Sequence, residues 1–211
     1  MTSCIKNGIF ASEILNVNDP HEGKDIDNPN QYRIVCLTES KNNILMWAYY
    51  GNHRGCCVGF DVSGIDGIKK NDYTDECQKH AGMTNDEIVT SLYKKGKDWE
   101  KELEYRLVYD ASSTSNAVWK KDGDLVFLDA PVKSVIFGLY ADQDYKYDET
   151  LESLKVYKGE IAITRCKLME DQYHFEDEPL EIDAELMRLN PKRTVYCKGI
   201  PLYGGLYNET K

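Results

Sequence analysis

The sequence predicts an α+β fold, a single domain over residues 1–211 built from mixed and antiparallel sheets of short strands with about three helices. Three observations lead there. Apolar runs of strand length recur between clusters of Gly, Pro, Asn and Asp, and helical spacing emerges at only three places among them, so strands and helices do not alternate as in a doubly wound sheet. The 211 residues are enough for one sizeable core and few for two. With 41% hydrophobic and 29% charged residues, the composition is that of a globule rather than a disordered chain.

In chain order, Gly8-Ile9-Phe10-Ala11 reads as a short strand, and Asn18-Asp19-Pro20 as a turn, because Asn and Asp side chains bond nearby backbone and Pro fixes φ. Tyr32 to Leu37 is a strand. Thr38-Glu39-Ser40 offers an N-cap to a helix at Asn43–Tyr50, with Ile44, Trp47 and Ala48 on one face and Gly51 at its end. Cys56–Asp61 is a buried strand in which Gly59 marks close approach of another backbone or a ligand. Residues 62–83 are polar and irregular. Thr84 and Glu87 form a capping box that opens a helix expected to run to Lys95 and stop at Gly96. Strands follow at Asp124–Leu128 and Pro131–Gly138, then a helix over 143–157 with Leu151, Leu154 and Val156 inward, then a strand at Ile161–Met169. Beyond Pro179 the pattern weakens into an acidic C-terminal extension.

The net charge of −10 opposes nucleic-acid binding by broad phosphate neutralisation and leaves only a local basic pocket open. No apolar run reaches membrane-span length and the start carries no basic n-region, so the expected location is cytoplasmic with no membrane partner. Seven cysteines, with Cys56 and Cys57 adjacent in an apolar run, suit reduced thiols better than a disulfide framework. Cys77-x-x-His80 has half of a zinc site's spacing with no second pair at a matching interval, so no metal is expected.

The stretch with the most chemistry is Trp99-Glu100-Lys101-Glu102-Leu103-Glu104-Tyr105-Arg106. As a strand from Glu102 onward it places Leu103, Tyr105, Leu107 and Tyr109 on one face and Glu102, Glu104 and Arg106 on the other. Neighbours two apart on that face lie roughly 6.5–7 Å apart, so Glu104 sits between a like and an opposite charge, each of which shifts its ionisation. The same spacing on a solvated strand is ordinary surface charge.

Two stretches carry a resemblance. Leu45-Met46-Trp47-Ala48-Tyr49-Tyr50-Gly51-Asn52-His53-Arg54-Gly55-Cys56-Cys57-Val58-Gly59-Phe60-Asp61 and Trp99-x-x-Glu102-x-Glu104-Tyr105-Arg106 resemble the two signatures of a bacterial, phage-associated domain-of-unknown-function family, number twenty-nine seventy-one. Asn18-Asp19-Pro20-x-Glu22 and Pro131–Gly138 are similar to two further motifs of that family, so the likeness spans about 8–170. More distantly, Gly8-Ile9-Phe10-Ala11-Ser12 and Glu102–Asp110 resemble the first and catalytic strands of ADP-ribosyltransferases. That resemblance implies NAD as the ligand, with Glu104 holding a ribose hydroxyl and stabilising the breaking glycosidic bond, Glu102 orienting the acceptor and His53 as a further acid–base candidate. Ser12, Asn18, Asp19, Trp47, Tyr50 and Arg106 are the implied binding residues. Two other classes stay open: a non-enzymatic module that recognises a nucleotide or a protein, and a magnesium-dependent nuclease built on Asp19, Glu102 and Glu104.

Overall fold

The computed structural model describes residues 7–113 and 118–189 and the backbone of 196–197 and 200–201. In chain order the strands are β1 (Ile9–Phe10), β2 (Ser12–Glu13), β3 (Tyr32–Thr38), β4 (Cys56–Phe60), β5 (Lys69–Lys70), β6 (Asp72–Thr74), β7 (Lys94–Gly96), β8 (Glu104–Asp110), β9 (Trp119–Asp122), β10 (Leu125–Leu128), β11 (Val132–Phe137), β12 (Ala162–Leu168) and β13 (Phe175–Pro179). The helices are α1 (Ile44–Tyr49), α2 (Asn85–Ser91), α3 (Tyr147–Lys155) and α4 (Ile182–Leu189), so four regular helices lie among the described residues where three were read. A short antiparallel pair joins Tyr196–Cys197 to Ile200–Pro201. The α+β reading holds.

Two four-stranded sheets organise the chain. One runs in the order β2-β3-β8-β5 with every pairing antiparallel; the other runs β13-β12-β11-β4, antiparallel except for β11 with β12. Leu107 and Tyr109 of β8 join Val35 of β3 in a core shared with Ile9, Val126 and Leu128 of the small β1-β10-β9 sheet. The opposite face of the first sheet carries Ile34 and Val108 against Ile88 of α2 and Leu92. In the second sheet Val135 and Phe137 meet Leu151 and Leu154 of α3 and Leu186 of α4, while Ile136 and Cys166 meet Trp47 of α1 and Phe175. The segment beyond 170 is therefore part of the packing, because β13 and α4 cover apolar surface that the strands alone leave open. Val156 departs from the helical reading: it caps α3 and is 75% exposed.

Local chemistry explains where the elements stop. The side chain of Asn43, not the Thr38–Ser40 triplet, caps α1 by accepting from Leu45 N. Thr84 and Glu87 form the expected capping box, but α2 ends at Ser91, and Lys94–Gly96 pairs in parallel with β6 as strand β7. Gly59 leaves room for Ser134, whose Oγ would lie 2.3 Å from an added Cβ. Among the described residues Cys36, Cys57, Cys77 and Cys166 are free thiols. No helix of the described residues is long and apolar enough to cross a membrane.

Gly138 follows β11 and lies against the turn that leads into β4. Its N–H donates to Gly55 O, Tyr140 N donates to His53 O, and a Cβ at 138 would stand 2.3 Å from that same His53 oxygen. Backbone cannot rotate away. Gly138→Ala is expected to destabilise by about 1–3 kcal/mol, the range for overpacking, read as a lower urea midpoint with unchanged slope. An unchanged midpoint would show that the 52–55 turn yields freely.

Candidate functional site

The antiparallel register of β3 and β8 sets Cys36 opposite Arg106 and Thr38 opposite Glu104, and β2 adds Ser12 beside Ile34. These side chains floor a cavity of about 260 Å³, bounded also by Asn18, by Met46 and Tyr50 at α1, and by Lys95 and Glu102. Glu104 and Arg106 share the sheet face as the period of two requires. Glu102 does not belong to that strand: it ends a 3-10 helix over Lys97–Glu102, and Leu103 turns left-handed with φ 50° before β8 begins. It reaches the same place from the turn, where its carbonyl accepts from Thr38 Oγ1 at 2.9 Å. The expected three-residue charged face is thus corrected to two strand residues plus one from a turn.

The charged groups form one buried cluster. Lys95 Nζ donates to Glu102 Oε2 at 2.6 Å and to Glu104 Oε2 at 2.7 Å, and Tyr50 OH donates to Glu102 Oε1 at 2.6 Å. Arg106, fully buried, grips Glu104 in two places, Nε to Oε1 at 2.8 Å and Nη2 to Oε2 at 3.1 Å. Two more of its donors go to Glu22 Oε1 at 2.7 Å and Leu92 O at 2.8 Å. Asn71 Nδ2 adds a bond to Glu104 Oε2 at 3.0 Å. Glu104 therefore accepts from four nitrogens and is saturated, whereas Glu102 holds two partners against the roughly four acceptor sites of a carboxylate.

Ionisation follows from these contacts. Burial alone would push Glu104 up, but the hydrogen bonds and charge of Arg106, joined by Lys95, outweigh it and hold the carboxyl below its ordinary value. Glu22 shows the reverse balance: burial outweighs Arg106 and raises it. Burial pulls Lys95 and Arg106 down, yet the carboxylates around them leave both above their ordinary values. Burial and then the Glu102 carboxylate raise the Tyr50 hydroxyl, while burial and then Glu104 raise the Cys36 thiol.

Of the residues singled out in the sequence, Ser12, Asn18, Tyr50, Glu102, Glu104 and Arg106 line this cavity. The other three do not. Trp47 packs in the second sheet's core, its Nε1 donating to Lys41 O at 2.8 Å. His53 stands edge-on to Tyr140 and Phe175, with φ 61° and a buried Nδ1 that finds no partner. The sharp turn after α1 carries it to the β11 end of the second sheet. Asp19 turns the other way and accepts from His21 N, lining a second cavity of about 360 Å³ on the far side of Lys95 and Arg106.

Sequence reasoning passed over Lys95, the hub of the cluster, because the capping box was extended into a helix through it. A strand reading of Lys94–Gly96 would have aimed alternate residues inward, the signal that was available. Glu22 was legible only as part of the Asn18–Glu22 motif. Cys77 and His80 line the second cavity with His21, and Cys77 Sγ is 3.7 Å from His21 Nδ1. Among the described residues no three His, Cys, Asp or Glu side chains are placed to hold a metal ion. Comparison of the chain with protein-family models, with curated proteins and with solved structures finds no match.

Proposed function

We propose that the cavity over β8 takes the ribosyl end of a nucleotide, NAD in the first place, and that the chain breaks its bond to nicotinamide and passes ADP-ribose to a nucleophile. The reading agrees with the resemblance of the Gly8–Ser12 and Glu102–Asp110 segments to strands of ADP-ribosyltransferases. The observation that carries it is the convergence of two carboxylates, held by Lys95 and Arg106, on a cavity of about 260 Å³ with Tyr50 at its edge. Sites for drug-sized ligands run from about 300 Å³ upward, so this one suits a nicotinamide-ribose half, with the rest of the dinucleotide outside it.

In this reading the C1′–N bond breaks with its electron pair leaving on nicotinamide, whose positive charge is thereby neutralised, and positive charge develops on the ribose. A fixed carboxylate beside that ring stabilises the charge as it forms. Glu102 suits the role better than Glu104, because it has acceptor sites to spare for a ribose hydroxyl. Glu104 orients Lys95 and Arg106. Ser12 and Asn18 supply neutral polar contacts, and Tyr50 offers a ring to the base.

The test is a thermal-shift titration with NAD⁺, ADP-ribose and Mg²⁺ in parallel, alongside nicotinamide release with bacterial lysate as the acceptor source. A ligand held only by the folded state at a hundred times its Kd stabilises by about 2.7 kcal/mol, so NAD⁺ is expected to raise Tm by several degrees and to release nicotinamide. A shift without release favours a nucleotide-binding module, to which the saturation of Glu104 already lends itself. A shift with Mg²⁺ alone favours the nuclease reading, and no NAD⁺ effect of either kind removes the transferase.

A further inference from the structure

The cavity of about 360 Å³ on the other side of the ion cluster has no part in that reaction, yet one wall of it is chemically incomplete. Glu22 lines it with only 7% of its side chain exposed. Its Oε1 accepts from Arg106 Nη2 at 2.7 Å and stands 4.0 Å from Lys95 Nζ, while Oε2 is buried with no hydrogen-bond partner. Leaving such an atom unpaired costs on the order of 1–3 kcal/mol, more for a charged group. A donor is missing.

The charge balance gives the donor's sign. Among the described residues Lys95 and Arg106 are the cations that reach Glu22; Lys95 is also committed to Glu102 and Glu104 and Arg106 to Glu104, so three carboxylates share two cations. Around Glu22 the cavity adds buried Asp19 with Glu76 and Asp98; its Lys97 is paired with Asp75, and Lys94 also lies on the lining, so with Glu102 and Glu104 seven carboxylates still face four cations. We propose that this cavity binds a cationic nitrogen with N–H groups to give, a guanidinium or primary ammonium that donates to Glu22 Oε2. A guanidinium suits it best, because its planar fork can serve Glu22 and a second lining acceptor at once. Burial that Arg106 only partly offsets raises the pKa of Glu22, as for a carboxylate short of one positive partner. The inference does not depend on NAD binding in the other cavity.

The experiment is isothermal titration of the full chain with agmatine, with a Gly-Arg-Gly peptide amide, and with tetramethylammonium, which has the charge but no N–H. Saturable binding of agmatine or of the peptide is expected, at least tenfold weaker in Glu22→Gln and absent for tetramethylammonium. Tighter agmatine would identify a small-molecule amine as the source of the group, and a tighter peptide would identify a protein side chain. Should Glu22→Gln fail to fold, Thr74→Trp fills the cavity from its rim while keeping Glu22, and should remove binding equally. No saturable binding to wild-type protein, equal binding of tetramethylammonium, or binding unchanged in a folded variant would overturn the proposal. NAD⁺ titrated on the same samples shows separately whether the first cavity works.

Discussion

Arg106→Met is expected to cost about 3–5 kcal/mol of folding stability, the loss typical when one partner of a buried ion pair is removed. The side chain is fully buried and its guanidinium bonds Glu104 twice, Glu22 once and the Leu92 carbonyl once. Methionine fills much of the space but returns none of these donors, so Glu22, Glu102 and Glu104 are left in a dry site sharing Lys95 alone. Against a total of about 5–15 kcal/mol for a domain, this is a large share. Urea unfolding at neutral pH reads it directly, and a variant within 1 kcal/mol of wild type would mean that water reaches the cluster. Acid separates the two carboxylates. Glu104, held below its unfolded value, contributes stability at neutral pH that disappears as pH falls through its folded value, whereas the raised Glu22 contributes below its unfolded value and loses that as pH rises. Without Arg106 the depression of Glu104 fades, so the variant's stability should fall less steeply in acid than that of wild type.

The period of two in Glu104–Asp110 and the capping box at Thr84 were readable because each is a local rule with a local cause, and both survive in the structure. Gly59 was readable as a close approach; the approaching group is the Ser134 side chain on the neighbouring strand. The burial of Arg106 was not readable. Glu-x-Glu-x-Arg on a strand is the same string whether its face meets water or a second layer, and here residues 92–102 come back over the sheet to cover it. The same long-range event converts Lys95 from an expected helix terminus into the hub of the cluster, and it brings Glu22 from more than seventy residues away in sequence. The left-handed turn at Leu103, which lifts Glu102 off the strand, had no glycine or asparagine to announce it. α4 was missed for a different reason. Its acidic first turn reads as a solvated extension until Leu186 is seen packed in the core shared with Leu151 and Leu154 of α3.

Glu102→Gln and Glu104→Gln are expected to fail in different ways, and the contrast tests the assignment of roles. In Glu102→Gln the amide oxygen keeps one of two donors, Tyr50 or Lys95, so the fold should survive with a Tm lowered by a few degrees. NAD⁺ binding should stay within a few-fold, because the lost charge interacts mainly with charge that develops as the glycosidic bond breaks. Nicotinamide release should fall by about 10²–10³-fold, the usual loss for one such electrostatic contact. Glu104→Gln has no tolerable orientation. Either way its amide nitrogen faces donors, Arg106 Nε on one side or Arg106 Nη2, Lys95 and Asn71 on the other, so stability should drop well before any rate is measured. Urea midpoints on both variants, with nicotinamide release measured at a temperature where each is folded, decide the matter. Wild-type release from Glu102→Gln, together with a folded but inactive Glu104→Gln, would return the chemistry to Glu104 and make Glu102 the orienting residue.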